Sequence, residues 1–237
     1  MTARPGLLVV VLGTATGVGK TWTAAVVARE LRASGATVAA RKPVQSHEPG
    51  AGSLDAAVLA RATGEDPGDV CPPHRSYPLA MAPPMAADAL GQPPFTVADL
   101  VGELRWSPDV AVGLVETVGG PRSPVAADGD SVGLAAALAP DLVVLVADAG
   151  LGAINAVRLS AAACAGVAAP LVVAVNRFDP ADDLHHRTRD WLVADGLDLA
   201  VSPRELAGRL QPSVGGGAEV EAPDDATAAT RRDAAPR

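Results

Sequence analysis

"GTATGVGKT", residues 13–21, follows the apolar run "LLVVVL" (residues 7–12) and precedes "WTAAVVARELRAS" (residues 22–34). The run is short and rich in β-branched residues, which predicts a buried strand; the stretch from Lys20 predicts a helix over 20–34, ended by Gly35. Between them, small residues leave backbone N–H groups free to face an anion, and the helix N-terminus adds a favourable dipole. Lys20 brings a positive charge to the terminal phosphates of a bound nucleotide, and the Thr21 hydroxyl can ligate magnesium. One detail departs from the usual phosphate-loop spacing, G-x-x-x-x-G-K. Thr14 stands where the first glycine belongs, and Gly13 comes one residue early. The shift lengthens the loop without removing any of these parts. Strand, loop and helix in this order make a phosphate-binding element, with Gly17, Val18, Gly19, Lys20 and Thr21 at the nucleotide.

Working outward, "TVAAR" (37–41) reads as a second strand, followed by the Gly/Pro-rich "KPVQSHEPGAGS" and a helix over roughly 53–63. Residues 65–95 carry many prolines and little periodicity, which predicts irregular structure with short helical pieces, and a helix is expected over 96–105. "VAVGLVE" (110–116), "DLVVLVAD" (141–148) and "PLVVAVN" (170–176) read as buried strands. Helices are expected at 154–166 and 183–194, and a short strand near 198–202. Apolar strands alternating with helices imply βαβ units. The predicted fold is α/β, a mainly parallel sheet with helices on both faces, of the P-loop NTPase type. One domain is expected over 1–211, and a flexible polar tail over 212–237, where "PSVGGGAEVEAPDDATAATRRDAAPR" has too little to bury to offset its ordering entropy.

Composition narrows the function. Hydrophobic residues make up 49% of the chain and aromatic residues 3%, so the core is built from Ala, Val and Leu, as suits a parallel sheet covered by helices. A formal charge of -8 with few aromatics argues against nucleic-acid binding, which needs basic grooves and stacking platforms. Cys71 and Cys164 suggest neither a disulfide framework nor a zinc site. No apolar run approaches the ~20 residues of a membrane span, and the start does not read as a signal peptide, so the expected location is the cytoplasm with no membrane partner. Trp22, Trp106 and Trp191 are scattered and expected to be core or half-buried, and the pair His185, His186 belongs to a charged helix surface.

Several further residues sit where a parallel sheet presents its C-terminal edge to ligands. Lys42 follows the second strand and is placed to hold a second anion beside the terminal phosphate; a solvated strand-end lysine is the ordinary alternative. Glu116 ends a strand and can bind magnesium, or be a plain strand-end acid. Asp55 opens a helix, where an acid also serves as a cap or first-turn charge. Asn176 ends a strand; its amide can read a base edge or make a turn. Asn155 lies at a helix start, able to receive a carboxylate or to act as a cap.

With these residues in view, a resemblance can be stated. "GTATGVGKT" resembles the modified phosphate loop of dethiobiotin synthetases, Gly-Thr-x-Thr-x-Val-Gly-Lys-Thr, displaced glycine included. "RKPVQS" (41–46) is similar to the family's Lys-Pro-Val stretch, "VETVGGPRSP" (115–124) to its Val-Glu-Gly-Ala-Gly-Gly, and "ADAGLGAINAVRLS" (147–160) to its Leu-Gly-x-x-Asn segment. The likeness runs in order through about residue 203. The resemblance implies ATP as co-substrate and Mg2+ held by Thr21, Asp55 and Glu116. It implies Lys20, Lys42 and Thr16 as catalytic residues, and Asn176 and Pro203 at the base. It places Thr16, Lys42, Ser46, Gly119, Gly152 and Asn155 at the substrate. The implied substrates are 7,8-diaminononanoate and carbon dioxide, closed to a ureido ring through a carbamate and a carbamic-phosphoric anhydride. A homodimer is implied too, with Gly152 and Asn155 reaching the neighbour's substrate. The sequence departs from the pattern at Gly17, where many members carry an acid, at Thr117 and Val118 in place of Gly-Ala, and at Ala156 in place of a frequent histidine.

Two rival readings share the fold. A corrin amide synthetase would carry a further glutaminase domain with a catalytic cysteine, for which no segment is expected here. A partitioning or septum-positioning ATPase would carry an extra lysine near the start of the loop, where this chain has Ala15.

Overall fold

The computed structural model describes residues 3–211; the tail expected over 212–237 lies outside the described residues. Along the chain the strands are β1 (Leu7–Gly13), β2 (Val38–Arg41), β3 (Gln45–Ser46), β4 (Ser76–Tyr77), β5 (Val112–Glu116), β6 (Pro124–Ala126), β7 (Gly129–Asp130), β8 (Leu142–Asp148), β9 (Leu171–Asn176) and β10 (Asp198–Ala200). The helices are α1 (Lys20–Ala33), α2 (Asp55–Thr63), α3 (Pro67–Val70), α4 (Pro83–Ala89), α5 (Val97–Glu103), α6 (Ser131–Leu138), α7 (Ala153–Cys164), α8 (Asp183–Ala194) and α9 (Pro203–Arg209). Six strands form one sheet in the order β10-β9-β8-β1-β5-β2, every neighbouring pair parallel.

The pleat of β1 explains why both faces of that sheet are covered. Successive side chains of a strand point to opposite sides. Val9 and Val11 pack with Ala24, Ala28 and Leu31 of α1, Leu59 of α2 and Leu206 of α9. Leu8, Val10 and Leu12 pack with Ala135 of α6, Val157 and Cys164 of α7 and Leu192 of α8. A strand buried twice over has no polar face to show, and so it reads in sequence as an unbroken apolar run.

The proline-rich segment has a core of its own. Tyr77, Ala86, Phe95, Leu100, Val125 and Leu134 form a third apolar cluster. Tyr77 stacks on Phe95 with ring centroids 6.0 Å apart, and Arg75 lies over the Phe95 ring while pairing with Glu103 at 2.6 Å. This layer roofs the C-terminal edge of the sheet and supplies Met81, Ala82 and Pro83 to the cleft beneath it.

The expected strands and helices are present, with the second strand starting at Val38 and the third at Val112. Helices α6 and α9 and the short pairings β3–β4 and β6–β7 were not anticipated. None of the tryptophans lies in the core: Trp106 is half-buried, and Trp22 and Trp191 are about half exposed, at 52% and 44%. Among the described residues no helix is long and apolar enough to cross a membrane.

Candidate active site

Strand β1 feeds the loop at the centre of the sheet, where chain connections depart to either side: β1 continues to β2 beyond β5, and β5 later connects across β1 to β8. A crevice at such a switch point is where open α/β sheets hold ligands. The early glycine now has a physical explanation. A Cβ on Gly13 would fall 2.9 Å from Cγ and Cδ of Lys20 and 2.9 Å from Val18. Gly13 thus leaves room for the Lys20 stem to lie back across the end of β1. Gly19, the residue before α1, has φ +97, and a Cβ there would meet the Asn176 amide nitrogen at 2.1 Å. Asn176 donates from that nitrogen to the Val18 carbonyl at 2.9 Å, and Arg177 donates to the Gly17 carbonyl at 2.8 Å. The end of β9 therefore ties back two consecutive loop carbonyls.

Charge is concentrated just inside. Lys20 Nζ donates to the carbonyls of Ala15 (3.1 Å) and Gly119 (2.8 Å). Lys42, 2% exposed, donates to Glu116 Oε1 at 2.6 Å and to the Thr117 carbonyl at 3.1 Å, and pairs with Asp55 Oδ2 at 2.9 Å. Thr21 Oγ1 lies 2.9 Å from Asp55 Oδ1 and 2.9 Å from Glu116 Oε1. Its single proton can serve one of those oxygens at a time. Glu116 is 1% exposed, and its other oxygen, Oε2, has no partner among the described residues.

The four ionisable groups shape one another. Burial, and then the nearby Lys42 charge, bring the Lys20 pKa down to about 8. Burial would also lower Lys42, but the Glu116 and Asp55 carboxylates outweigh it and raise its pKa, so this ammonium stays charged. Burial acts to raise Asp55, yet Lys42 and the Thr21 hydroxyl hold its carboxyl below the usual range. Burial pushes Glu116 up, with Lys42 opposing and Asp55 adding to the rise. Two ammonium groups facing two carboxylates make a cluster that can gain an anionic ligand and a cation together.

The expected site residues assemble in two adjoining clefts. Thr16, Gly17, Gly19, Lys20, Thr21, Lys42, Ser46, Asp55, Glu116 and Gly119 line one of about 660 Å³. Asn176 and Pro203 line a second of about 580 Å³ that shares Gly19 and Trp22 with the first. Val18 is buried beside them, its carbonyl held by Asn176. Gly152 precedes α7 in a left-handed conformation, and Asn155 is exposed in the first turn of that helix; neither lines either of these two clefts. Thr117 turns into the sheet, its N–H donating to the Val11 carbonyl, whereas Val118 lines the cleft.

Sequence reasoning overlooked Gln45, Ser123 and Trp22 as cleft residues. Gln45 donates to Ser76 at 2.9 Å and accepts the Ala56 N–H at 3.1 Å, stitching the segment after Lys42 to α2. Its one signal was its place inside "RKPVQS". Among the described residues there is no group of three or more His, Cys, Asp and Glu side chains able to hold a metal; the possible cation ligands are two carboxylates and a hydroxyl.

Residues 8–205 match a family described as an AAA domain. The ATP-dependent dethiobiotin synthetase of Anaeromyxobacter dehalogenans strain 2CP-C is 37% identical over 177 residues, covering 73% of this chain and 78% of that protein. The chain belongs to the ATP-dependent dethiobiotin synthetase family. The dethiobiotin synthetase of Rhodococcus jostii extends the likeness to 86% of this chain and 88% of its own length, at 34% identity over 209 residues. Among solved structures, a plasmid partition protein from Borrelia burgdorferi superposes with a TM-score of 0.53 over 87% of this chain and 95% of its own, at 14% identity. That likeness is one of fold, the P-loop NTPase sheet with its covering helices.

Proposed function

We propose that this chain closes a ureido ring, using ATP, 7,8-diaminononanoate and carbon dioxide. The observation that carries the reading is the placement of Lys20, Thr21, Lys42, Asp55 and Glu116 around one cleft at the mouth of a phosphate loop, in a chain 37% identical to a dethiobiotin synthetase. One amine of the diamine attacks carbon dioxide and loses a proton, giving a carbamate. A carbamate oxygen takes the γ-phosphoryl group from ATP, and ADP leaves. The second amine then attacks the carbamoyl carbon of this mixed anhydride, closing the ring and expelling phosphate.

Phosphoryl transfer needs positioning and charge neutralisation more than covalent help. Lys20 is bonded to two backbone carbonyls, bonds that a γ-phosphate would replace with stronger charge-assisted ones. Lys42 is fixed by Glu116 and Asp55, which suits it to hold the carbamate oxygens against the phosphate. Thr16 in the loop and Ser46, whose hydroxyl donates to the Met81 carbonyl, are offered as substrate contacts, with Gly119 beside them. Asn176 and Pro203 flank the base. Thr21, Asp55 and Glu116 would hold Mg2+: the unpartnered Glu116 Oε2 and the single Thr21 proton between two acids fit a cation with oxygen ligands. When bound, the ion would offset phosphate charge during transfer. We place the reaction in the cytoplasm and assign a homodimer in which Gly152 and Asn155 complete the neighbour's substrate site.

Purified protein given diamine, bicarbonate, Mg2+ and ATP should yield the cyclic urea, seen by mass, with one phosphate released per ring. Lys20→Ala should abolish phosphate release. Full turnover in that variant would overturn the loop assignment.

A further inference from the structure

Trp22 is the third residue of α1, next to Thr21, and stands half exposed at the partition between the two clefts. The other tryptophans are engaged: Trp106 lies under the Arg41 guanidinium at 4.7 Å and Trp191 under that of Arg158 at 5.3 Å. Among the described residues Trp22 has no aromatic or cationic partner. A large flat ring at the rim of a cleft is apolar area waiting for a ligand to cover it.

The two clefts differ in what they can accept. The one around Lys20 and Lys42 carries both lysines and both acids. The second is lined by Trp22, Phe178, Val175, Val201 and Pro203, with polar atoms from Asn176 and Ser202. Its one charged lining residue, Arg177, is paired with Asp148 and bonded to the Gly17 carbonyl. A phosphate would find no free cation there, and an alkyl diammonium no carboxylate. A flat, uncharged, hydrogen-bonding heterocycle fits. The Asn176 amide nitrogen is already committed to the Val18 carbonyl, which leaves its oxygen to accept from such a ring.

We propose that Trp22 is a further nucleotide-binding residue of this chain, its indole forming the stacking wall for the nucleoside base of the bound triphosphate. The inference rests on the function proposed above and adds a residue that makes nucleotide affinity depend on the base as well as on the phosphates. Stacking of a base on an aromatic side chain is sequence-tolerant and corresponds to roughly tenfold in affinity.

The test compares the full chain with Trp22→Ala and Trp22→Phe by calorimetry with Mg2+, using ATP and, separately, inorganic triphosphate, which has no base. Trp22→Ala should weaken ATP about tenfold and triphosphate less than twofold, Trp22→Phe should recover most of the ATP affinity, and the diamine KM should hold. ATP should quench the fluorescence of the unaltered chain and leave that of Trp22→Phe, which keeps Trp106 and Trp191, nearly unchanged. Equal ATP affinity in Trp22→Ala overturns the proposal. So does a parallel loss of triphosphate binding, which would mark a distorted loop, and so does a rise in diamine KM with ATP binding intact, which would place the ring over the substrate chain. Because binding is measured without the diamine, failure of ring closure alone leaves the base-stacking role standing. Failure of the unaltered chain to bind ATP overturns both.

Discussion

At the scale of single residues, the centre of the site is Lys42 with its two acids. Lys42 belongs to a different strand end from Lys20, and its contacts are all on the β5 and α2 side of the cleft. Lys42→Met should therefore impair product formation by two orders of magnitude or more while changing ATP affinity only a few-fold; calorimetry alongside turnover separates the two, and an ATP affinity lost in step with turnover would assign Lys42 to the nucleotide instead. The expected size follows from the effect of removing a preorganised charge at a developing anion, about 10²–10³ in rate. The variant also tests the pairing itself, since it strands the buried Glu116 without its counter-charge, so its melting temperature should fall. Sequence alone placed Lys42 and Glu116 at strand ends and Asp55 at a helix start, each with an ordinary alternative. It could not show that the three converge within hydrogen-bonding distance, because contacts spanning 74 residues depend on sheet order, which no local pattern encodes.

Among elements, legibility followed periodicity. Strands β1, β5, β8 and β9 were plain because burial on both faces makes an unbroken apolar run, and α1 because it starts directly on the phosphate loop. Helix α6 was missed: "SVGLAAAL" is apolar nearly all round, so it carries no 3.6-residue signal, and its alanines and leucines pack into two of the clusters at once. Its start was nonetheless written in the sequence. Asp130 accepts the Gly133 N–H at 2.8 Å as the helix N-cap. The same holds for α9, where Ser202 accepts the Glu205 N–H, Glu205 accepts the Val201 N–H, and a proline follows the cap. Burial acts to raise the Asp130 carboxyl, but the Gly133 N–H and the Arg122 guanidinium hold it below its ordinary value. A folded pKa below the unfolded one gives stability that is present above the unfolded value and disappears as pH falls through the folded one. Asp130→Ala should cost about 1 kcal/mol at neutral pH, lowering the melting temperature by ~2–4 °C. The gap between variant and parent should close as pH drops below 3.8. Thermal melts across pH check this; a gap that stays constant down to acid would mean that the cap's charge is irrelevant.

For the whole molecule, assembly turns on α7 and the loop before it. Leu151 is 93% exposed and Leu159 65% exposed, the latter lining a shallow cleft with Thr14, Thr16 and Ser123 on the outer side of the phosphate loop. Apolar residues flanking Asn155 on one surface suit a contact with a second copy. If sites are shared across that contact, mixing Lys20→Ala with Asn155→Asp should restore activity under subunit exchange, since a mixed dimer holds one site with both residues intact. Exchange demonstrated by native mass spectrometry with activity still at zero would defeat the shared site, as would a fully active monomer in sedimentation. If the chain assembles through this surface as proposed, Leu151→Asp should shift it toward monomer in the same sedimentation measurement.

The position of β1 in the sheet has a consequence for how the protein comes into being. The first strand of the sheet along the described residues is an inner one, and its two flanking strands, β5 and β8, begin at Val112 and Leu142. Until the ribosome has delivered residues far down the chain, β1 has two bare hydrogen-bonding edges and apolar side chains on both faces. Contacts closed over such separations form slowly, and an unpaired apolar strand is a template for pairing with the wrong chain. The geometry that puts the phosphate loop at the middle of the sheet thus also sets a long interval during synthesis in which β1 waits, exposed to mispairing, for the strands that will cover its edges.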